Sequence, residues 1–264
     1  MLGLGNDLVG GSGSGYRARF SLDLDGTGDI MITDDIQAIL RGSWTINYWM
    51  RLDDSTPSGN AMCGLYHDTN NQIALGVHSS GAFNFYMEAD AVAVAHTVHA
   101  DLDGGGTTLS GNSQSDWFMV TLTCTLDTVG SDPSTFAMYS NANAISTDKT
   151  LLQARHVAFS SGGTGYGFGA RNSTAVGILH PLDGNITECA IWNTPLDADA
   201  VTALYNSGAS LNPMSDSGSY DNSSALVRYY DFDQGVGTTV TDQTGNANGT
   251  IQGNPTYAEL HPRG

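Results

Sequence analysis

The stretch SWTINYWMR, residues 43–51, sets Trp44, Ile46, Tyr48 and Met50 on one face and Trp49 on the other. Strict alternation of apolar residues is the pattern of a β-strand. Large side chains on both faces put this strand inside a layered fold, away from its surface. Upstream, residues 16–25 alternate in the same way. Tyr16, Ala18, Phe20, Leu22 and Leu24 face one side, and Arg17, Arg19, Ser21, Asp23 and Asp25 face the other. DGTG at 25–28 reads as an Asp-Gly hairpin turn, after which DIMIT returns the chain. DDIQAILRG, residues 34–42, suits one or two helical turns with Asp35 as cap and Gly42 as stop.

Downstream, AMCGLY, QIALGVH, AFNFYME, DWFMVTLTCTL, STFAMYSN, GYGFGAR and NITECAIWN read as further strands between turn signals. Many short strands at such intervals predict an all-β, antiparallel sandwich or barrel. One helix interrupts them late in the chain, in TPLDADAVTALYNSG at 194–208. Thr194 suits the cap, Pro195 the first turn, and Asp197 and Asp199 the positive end. Val201, Leu204 and Tyr205 make the apolar stripe, and Asn206 to Gly208 stop it. A polar linker, NPMSDSGSYDNSS, leads to LVRYYDFDQGVGTTVTDQTGNANGTI at 226–251, a late strand-and-turn unit expected to join the same sandwich. The chain is thus read as a glycine-rich arm at 1–15 and a single domain at 16–260, without internal repeats or heptads.

The 264 residues carry 40% hydrophobic side chains, enough for a core. Nine Lys and Arg stand against 27 Asp and Glu, a formal net charge of -18. Such a surface repels phosphate backbones and anionic bilayers, which excludes nucleic acid as a partner class. No apolar run is long enough to insert in a membrane. Cys63, Cys124 and Cys189 are odd in number and widely spaced, which reads as buried thiols, not a disulfide framework. The first residues lack the basic and apolar regions of a secretory signal peptide. Four sequons, at Asn172, Asn185, Asn222 and Asn248, matter only in a secretory pathway and are discounted on that ground.

SLDLDGTGDIMIT, GSWTINYWMRLDD and GNITECAIWNTPLDADAVTALYNSG, in that order, resemble the LamG-like jelly rolls of the concanavalin A-like lectin/glucanase superfamily. In the last stretch Gly184, Ile186, Glu188, Trp192 and Asn193 match the family pattern, while Thr187 stands where an Asp is usual. The resemblance implies a jelly-roll β-sandwich with one short late helix. It also implies that the 226–251 unit, which usually precedes the Asp-Gly strand, follows the helix here. MLGLGN, the glycine-rich arm and the late YYDFDQGVGTT unit together resemble virion proteins of marine tailed phages. That resemblance implies a virion component assembled in the host cytoplasm, with phage structural proteins and copies of itself as partners. Met1, Leu2, Leu4, Asn6 and Leu8 of the arm are the expected tether to the particle.

Enzymatic chemistry finds little support. The glucanases of the superfamily use a Glu-x-Asp-x-x-Glu strand, whereas this chain has only Glu88, Glu188 and Glu259, none in that pattern. No G-x-S-x-G accompanies the histidines, and GVGTTV and GGTGYGFG lack the context of a phosphate loop. The expectation is therefore a non-enzymatic protein. The offsets of Asp23, Asp25, Thr27, Gly28, Ile30 and Asp34 fit much of a calcium loop, but the flank is a strand and the last position is not Glu. A looser calcium site would use Asp25 or Asp29; no other cofactor is expected. His96 and His99 lie in a segment, residues 91–108, read as a long polar loop at the rim. Sugar binding, the remaining option, would recruit Trp117, Tyr139, Tyr166 and Trp192, with a cell-surface glycan as ligand. The functional expectation is a surface protein of a tailed phage, decorating the head or displayed as a compact module. A tail receptor-binding lectin and a free glycan-binding module of a marine bacterium are the alternatives.

Overall fold

The computed structural model describes residues 20–53, 61–68, 71–77, 83–88, 96–100, 116–126, 135–145, 165–173 and 176–262. The proposed tether residues Met1, Leu2, Leu4, Asn6 and Leu8, with the rest of the arm and residues 16–19, lie outside them.

In chain order the strands are β1 (Ser21–Asp25), β2 (Ile30–Ile32), β3 (Trp44–Leu52), β4 (Ala61–Asp68), β5 (Asn71–Val77) and β6 (Phe83–Glu88). There follow β7 (His96–Ala100), β8 (Phe118–Thr125), β9 (Thr135–Ser140), β10 (Asn143–Ile145), β11 (Gly167–Phe168) and β12 (Arg171–Ser173). The last five are β13 (Asp183–Trp192), β14 (Leu226–Tyr230), β15 (Thr239–Val240), β16 (Gly249–Gln252) and β17 (Thr256–Ala258). They form two sheets. The first runs β10-β9-β8-β3-β13-β1-β17, with β14 also on β13; the second runs β15-β16-β2-β11-β4-β5-β6-β7, with β12 on β4. Pairing is antiparallel throughout except for β12 on β4.

Alternation along β3 sends Trp44, Ile46, Tyr48 and Met50 between the sheets, where Leu22, Leu65, Leu75, Phe85, Phe168 and Ile186 meet them. Its other face is not wet. Trp49 packs with Met119, Ala190, Trp192, Tyr220 and Tyr229 in a second apolar layer. Helix α2 (Ala198–Tyr205), which follows α1 (Gln37–Leu40) among the described residues, seals that layer with Ala200, Val201 and Leu204. This explains the large residues on both sides of β3. The sheet has an inner core and a covered back.

α2 begins later than its sequence suggests. Asp197, not Thr194, is the N-cap, its side chain accepting from the Ala200 N–H at 2.8 Å. Thr194 contributes only its carbonyl, which accepts from the Thr45 hydroxyl. Leu196 must first drop into the apolar layer, and the helix starts once that anchor is set. Its end is where expected, with Asn206 in the left-handed region at φ 45°. In α1 the N-cap is Ile36, not Asp35; Asp35, one residue earlier, accepts from the Gln37 N–H at 2.9 Å.

Two other expectations change. The Asp25–Asp29 turn is not a hairpin, because β1 and β2 lie in different sheets; the turn carries the chain from one sheet to the other. His96–Ala100, read as part of a rim loop, is a strand paired antiparallel with β6.

The late unit divides between the sheets. β14 pairs with β13, β16 with β2 and β17 with β1. Along one edge of β13, β1 takes residues 183–186 and β14 takes residues 189–192. Two strands from opposite ends of the sequence therefore meet end to end on one neighbour.

Candidate functional site

The junction of β1 and β14 falls at a bulge. β13 advances from Thr187 to Ala190 while β3 advances only from Trp49 to Asn47, so one residue is extra. Glu188 takes the strain with φ 53°, uncommon for a side chain that is not glycine. Thr187 donates its hydroxyl toward the carbonyls of Phe20, at 3.0 Å, and Asp231, at 3.3 Å. An Asp at this position could not donate to either carbonyl. Gly184 opens the same strand at φ 139°, where a Cβ would stand 2.1 Å from the Arg51 carbonyl.

Glu188 is buried, at 3% exposure. Its Oε2 accepts from the Tyr229 hydroxyl at 2.6 Å, and its Oε1 has no partner. Burial pushes its carboxyl up to about 8, Asp231 and Asp233 push the same way, and the Tyr229 hydrogen bond partly offsets them. At neutral pH it is a protonated acid in an enclosed place. A general acid must reach its substrate, and this one is covered.

Asp242 organises the loop that follows. Its Oδ1 accepts from the N–H groups of Tyr229 and Thr244, and its Oδ2 from those of Asn246 and Ala247. The Thr244 hydroxyl adds a contact at 2.8 Å. The carboxylate does for this loop what a metal does elsewhere, gathering backbone donors around one charge.

Asp25 and Asp29 are likewise turn-building groups. Asp25 Oδ1 accepts from the N–H and hydroxyl of Thr27, which hold its carboxyl below the usual range. Asp29 Oδ2 accepts from the Asp25 N–H and its Oδ1 from the Asn254 N–H, tying the turn to the β16–β17 connection. Among the described residues no group of three or more His, Cys, Asp or Glu is placed to hold a metal ion. The three thiols are free and buried; burial pushes Cys63 and Cys124 up to about 12 and Cys189 well above the usual thiol range.

The aromatic residues expected to touch sugar are mostly inside. Tyr166 lies in the inter-sheet core and Trp192 in the back layer, both at 0% exposure, so neither ring offers a face to a ligand. Tyr139 is buried in the back layer too, and Trp117 is half-buried against it.

A different aromatic group is partly exposed. At the far end of β4, Tyr66 faces Gln72 of β5 in register. The Arg171 guanidinium of β12 lies over the Tyr66 ring, 5.1 Å from its centroid, and donates to Gln72 Oε1 at 2.9 Å. Tyr66 and Arg171 are half-buried. The parallel pairing of β12 with β4 brings them together. A guanidinium carries five N–H donors in a fixed fork and the phenol a donor-acceptor hydroxyl. Stacking restrains both, which lowers the entropy lost when polyhydroxyl groups are bound. No motif joins these residues, which come from three strands.

No protein-family model and no curated protein matches the chain. Solved structures do. A candidate carbohydrate-binding protein of Bacteroides ovatus superposes at TM-score 0.59 with 16% identity over 92% of this chain, which spans 60% of that protein. A variant of NanB sialidase from Streptococcus pneumoniae gives TM-score 0.52 at 18% identity, over 77% of this chain and 30% of that one. The CBM40 of a Ruminococcus gnavus IT-sialidase gives 0.49 at 13% identity, over 72% of this chain and 100% of that one. The fold is an antiparallel jelly-roll β-sandwich. At these identities the likeness is one of architecture, and function must be argued from the site.

Proposed function

We propose that this chain is a non-enzymatic glycan-binding module, carried on a tailed-phage particle as a head decoration or compact displayed domain. The observation that carries the glycan reading is the Arg171–Tyr66–Gln72 group, a stacked cation and phenol on a β-sandwich scaffold. The resemblance of the fold to the Bacteroides ovatus candidate carbohydrate-binding protein supports the same reading. The virion reading rests on the sequence alone: the MLGLGN start, the glycine-rich arm and the late strand-and-turn unit. In it the partners are copies of this chain and other phage structural proteins, and the arm is the tether.

Glycan-array binding of the full chain, with Arg171→Ala alongside, tests the first part. Binding lost in that variant while its thermal midpoint holds supports the site; no binding by wild type ends the glycan reading. Mass spectrometry of gradient-purified particles tests the second. A fixed, high ratio to the shell protein fits decoration, and a ratio matching tail components fits a receptor-binding lectin. Absence from particles favours a free glycan-binding module.

A further inference from the structure

β1 and β14 abut on one edge of β13, and nothing covalent joins them there. The side chain at the junction is Glu188, on the extra residue of the bulge. We propose that Glu188 is a protonation-operated latch on this seam: protonated it closes β14 onto β13, and ionised it loosens β14 while the rest of the sandwich stays folded.

Burial favours the neutral acid. Glu188 Oε2 and the Tyr229 hydroxyl lie 2.6 Å apart, and Oε1 has no donor to stabilise a negative charge. The titratable groups around it are Tyr229 on β14, Asp231 and Asp233 just beyond it, and Cys189 on its own strand. From β3 the bulge faces Trp49 and Asn47, which carry no charge, and Tyr205 of α2 stacks on Trp49. Among the described residues, these groups include no cation. An ionised Glu188 would add a third negative charge to Asp231 and Asp233 in a place closed to water. The least costly relief is to lift Tyr229, and with it β14, because the other edge of β13 is locked to β3 over seven residue pairs.

The direction with pH follows. The carboxyl is raised from its ordinary value to about 8 by burial first and by the two aspartates next. Between about pH 5 and about pH 8 the closed seam keeps a proton that an opened seam has lost. Each pH unit in that window therefore makes opening about tenfold easier, with a plateau above it. This goes beyond glycan binding and does not depend on it.

Hydrogen exchange of the full chain from about pH 5 to about pH 9, corrected for intrinsic rates, is the test. In wild type the opening constant of residues 226–230 should rise about tenfold per pH unit and then level, while β3 and β8 stay protected. Glu188→Gln should abolish that slope, and Tyr229→Phe, which removes the contact holding the carboxyl down, should shift the plateau to higher pH. Should a variant fail to fold, wild type answers by itself. The chain has only three Glu, so infrared spectra of glutamate-labelled protein resolve a protonated carboxyl at neutral pH. Three carboxylates at neutral pH, an unchanged slope in Glu188→Gln, or loss of protection spread evenly over both sheets would each overturn the latch.

Discussion

Trp192 donates its indole Nε1–H to the Tyr220 hydroxyl at 2.9 Å, and the Tyr220 hydroxyl donates to the Pro213 carbonyl at 2.7 Å. The relay pins the linker after α2 to the back of β13. Both rings are fully buried and meet edge to face. Tyr220→Phe keeps the ring and strands both polar partners, which should cost about 1–3 kcal/mol in urea unfolding. An unchanged midpoint would show that the linker moves to let water in.

Asp242 should be the costlier loss. Asp242→Ala removes the acceptor shared by four backbone N–H groups, including that of Tyr229 inside β14. A destabilisation of more than about 3 kcal/mol is expected, since bonds to a charged acceptor are the stronger kind. Calcium should not rescue it, and a thermal midpoint restored by calcium would contradict the carboxylate-centred account.

The start of α2 separates sequence reading from structure in one experiment. Asp197→Ala should cost about 1 kcal/mol by removing the cap. Thr194→Ala should cost less, because Thr194 offers the helix no side-chain bond and gives Thr45 only a carbonyl that alanine also has. Equal losses would restore Thr194 as a cap.

Ser21 pairs with Ala258 and Leu22 with Tyr257, so the two ends of the described chain lie side by side. A circular permutant that joins residue 262 to residue 20 by a short glycine linker, and opens within residues 212–219, should fold. Circular dichroism and a cooperative melt would show it. An unfolded product would mean that the α2-to-β14 linker does more than connect.

What the sequence made legible follows from how local the signal was. The alternation of Trp44 to Met50 and the stop at Asn206 are written in adjacent residues, and both stand as read. Asp25-Gly26 announces a turn, but the composition of a turn does not say whether its flanking strands pair or part. Trp192 and Tyr166 were misjudged as ligand contacts because alternation identifies a face without saying what covers it. Here helix α2 and the 209–225 segment cover the back of the first sheet. Arg171 and Gln72 sit 99 residues apart, and only the parallel placement of β12 brings them to one ring. The Glu188 bulge was visible only as a family-like pattern, with no local mark of its strain.

The pairing of β1 with β17 has a consequence for the cell that makes this protein. The first described strand finds its neighbour in the last described one, so the edge of the first sheet stays unsealed until β17 has been synthesised. A nascent chain on the ribosome would hold β1 against β13 on one side only, with its other ladder groups exposed to any passing strand. Completion of this fold therefore waits for β17 to leave the ribosome. Any factor that shields the nascent protein would have to guard the β1 edge until β17 emerges.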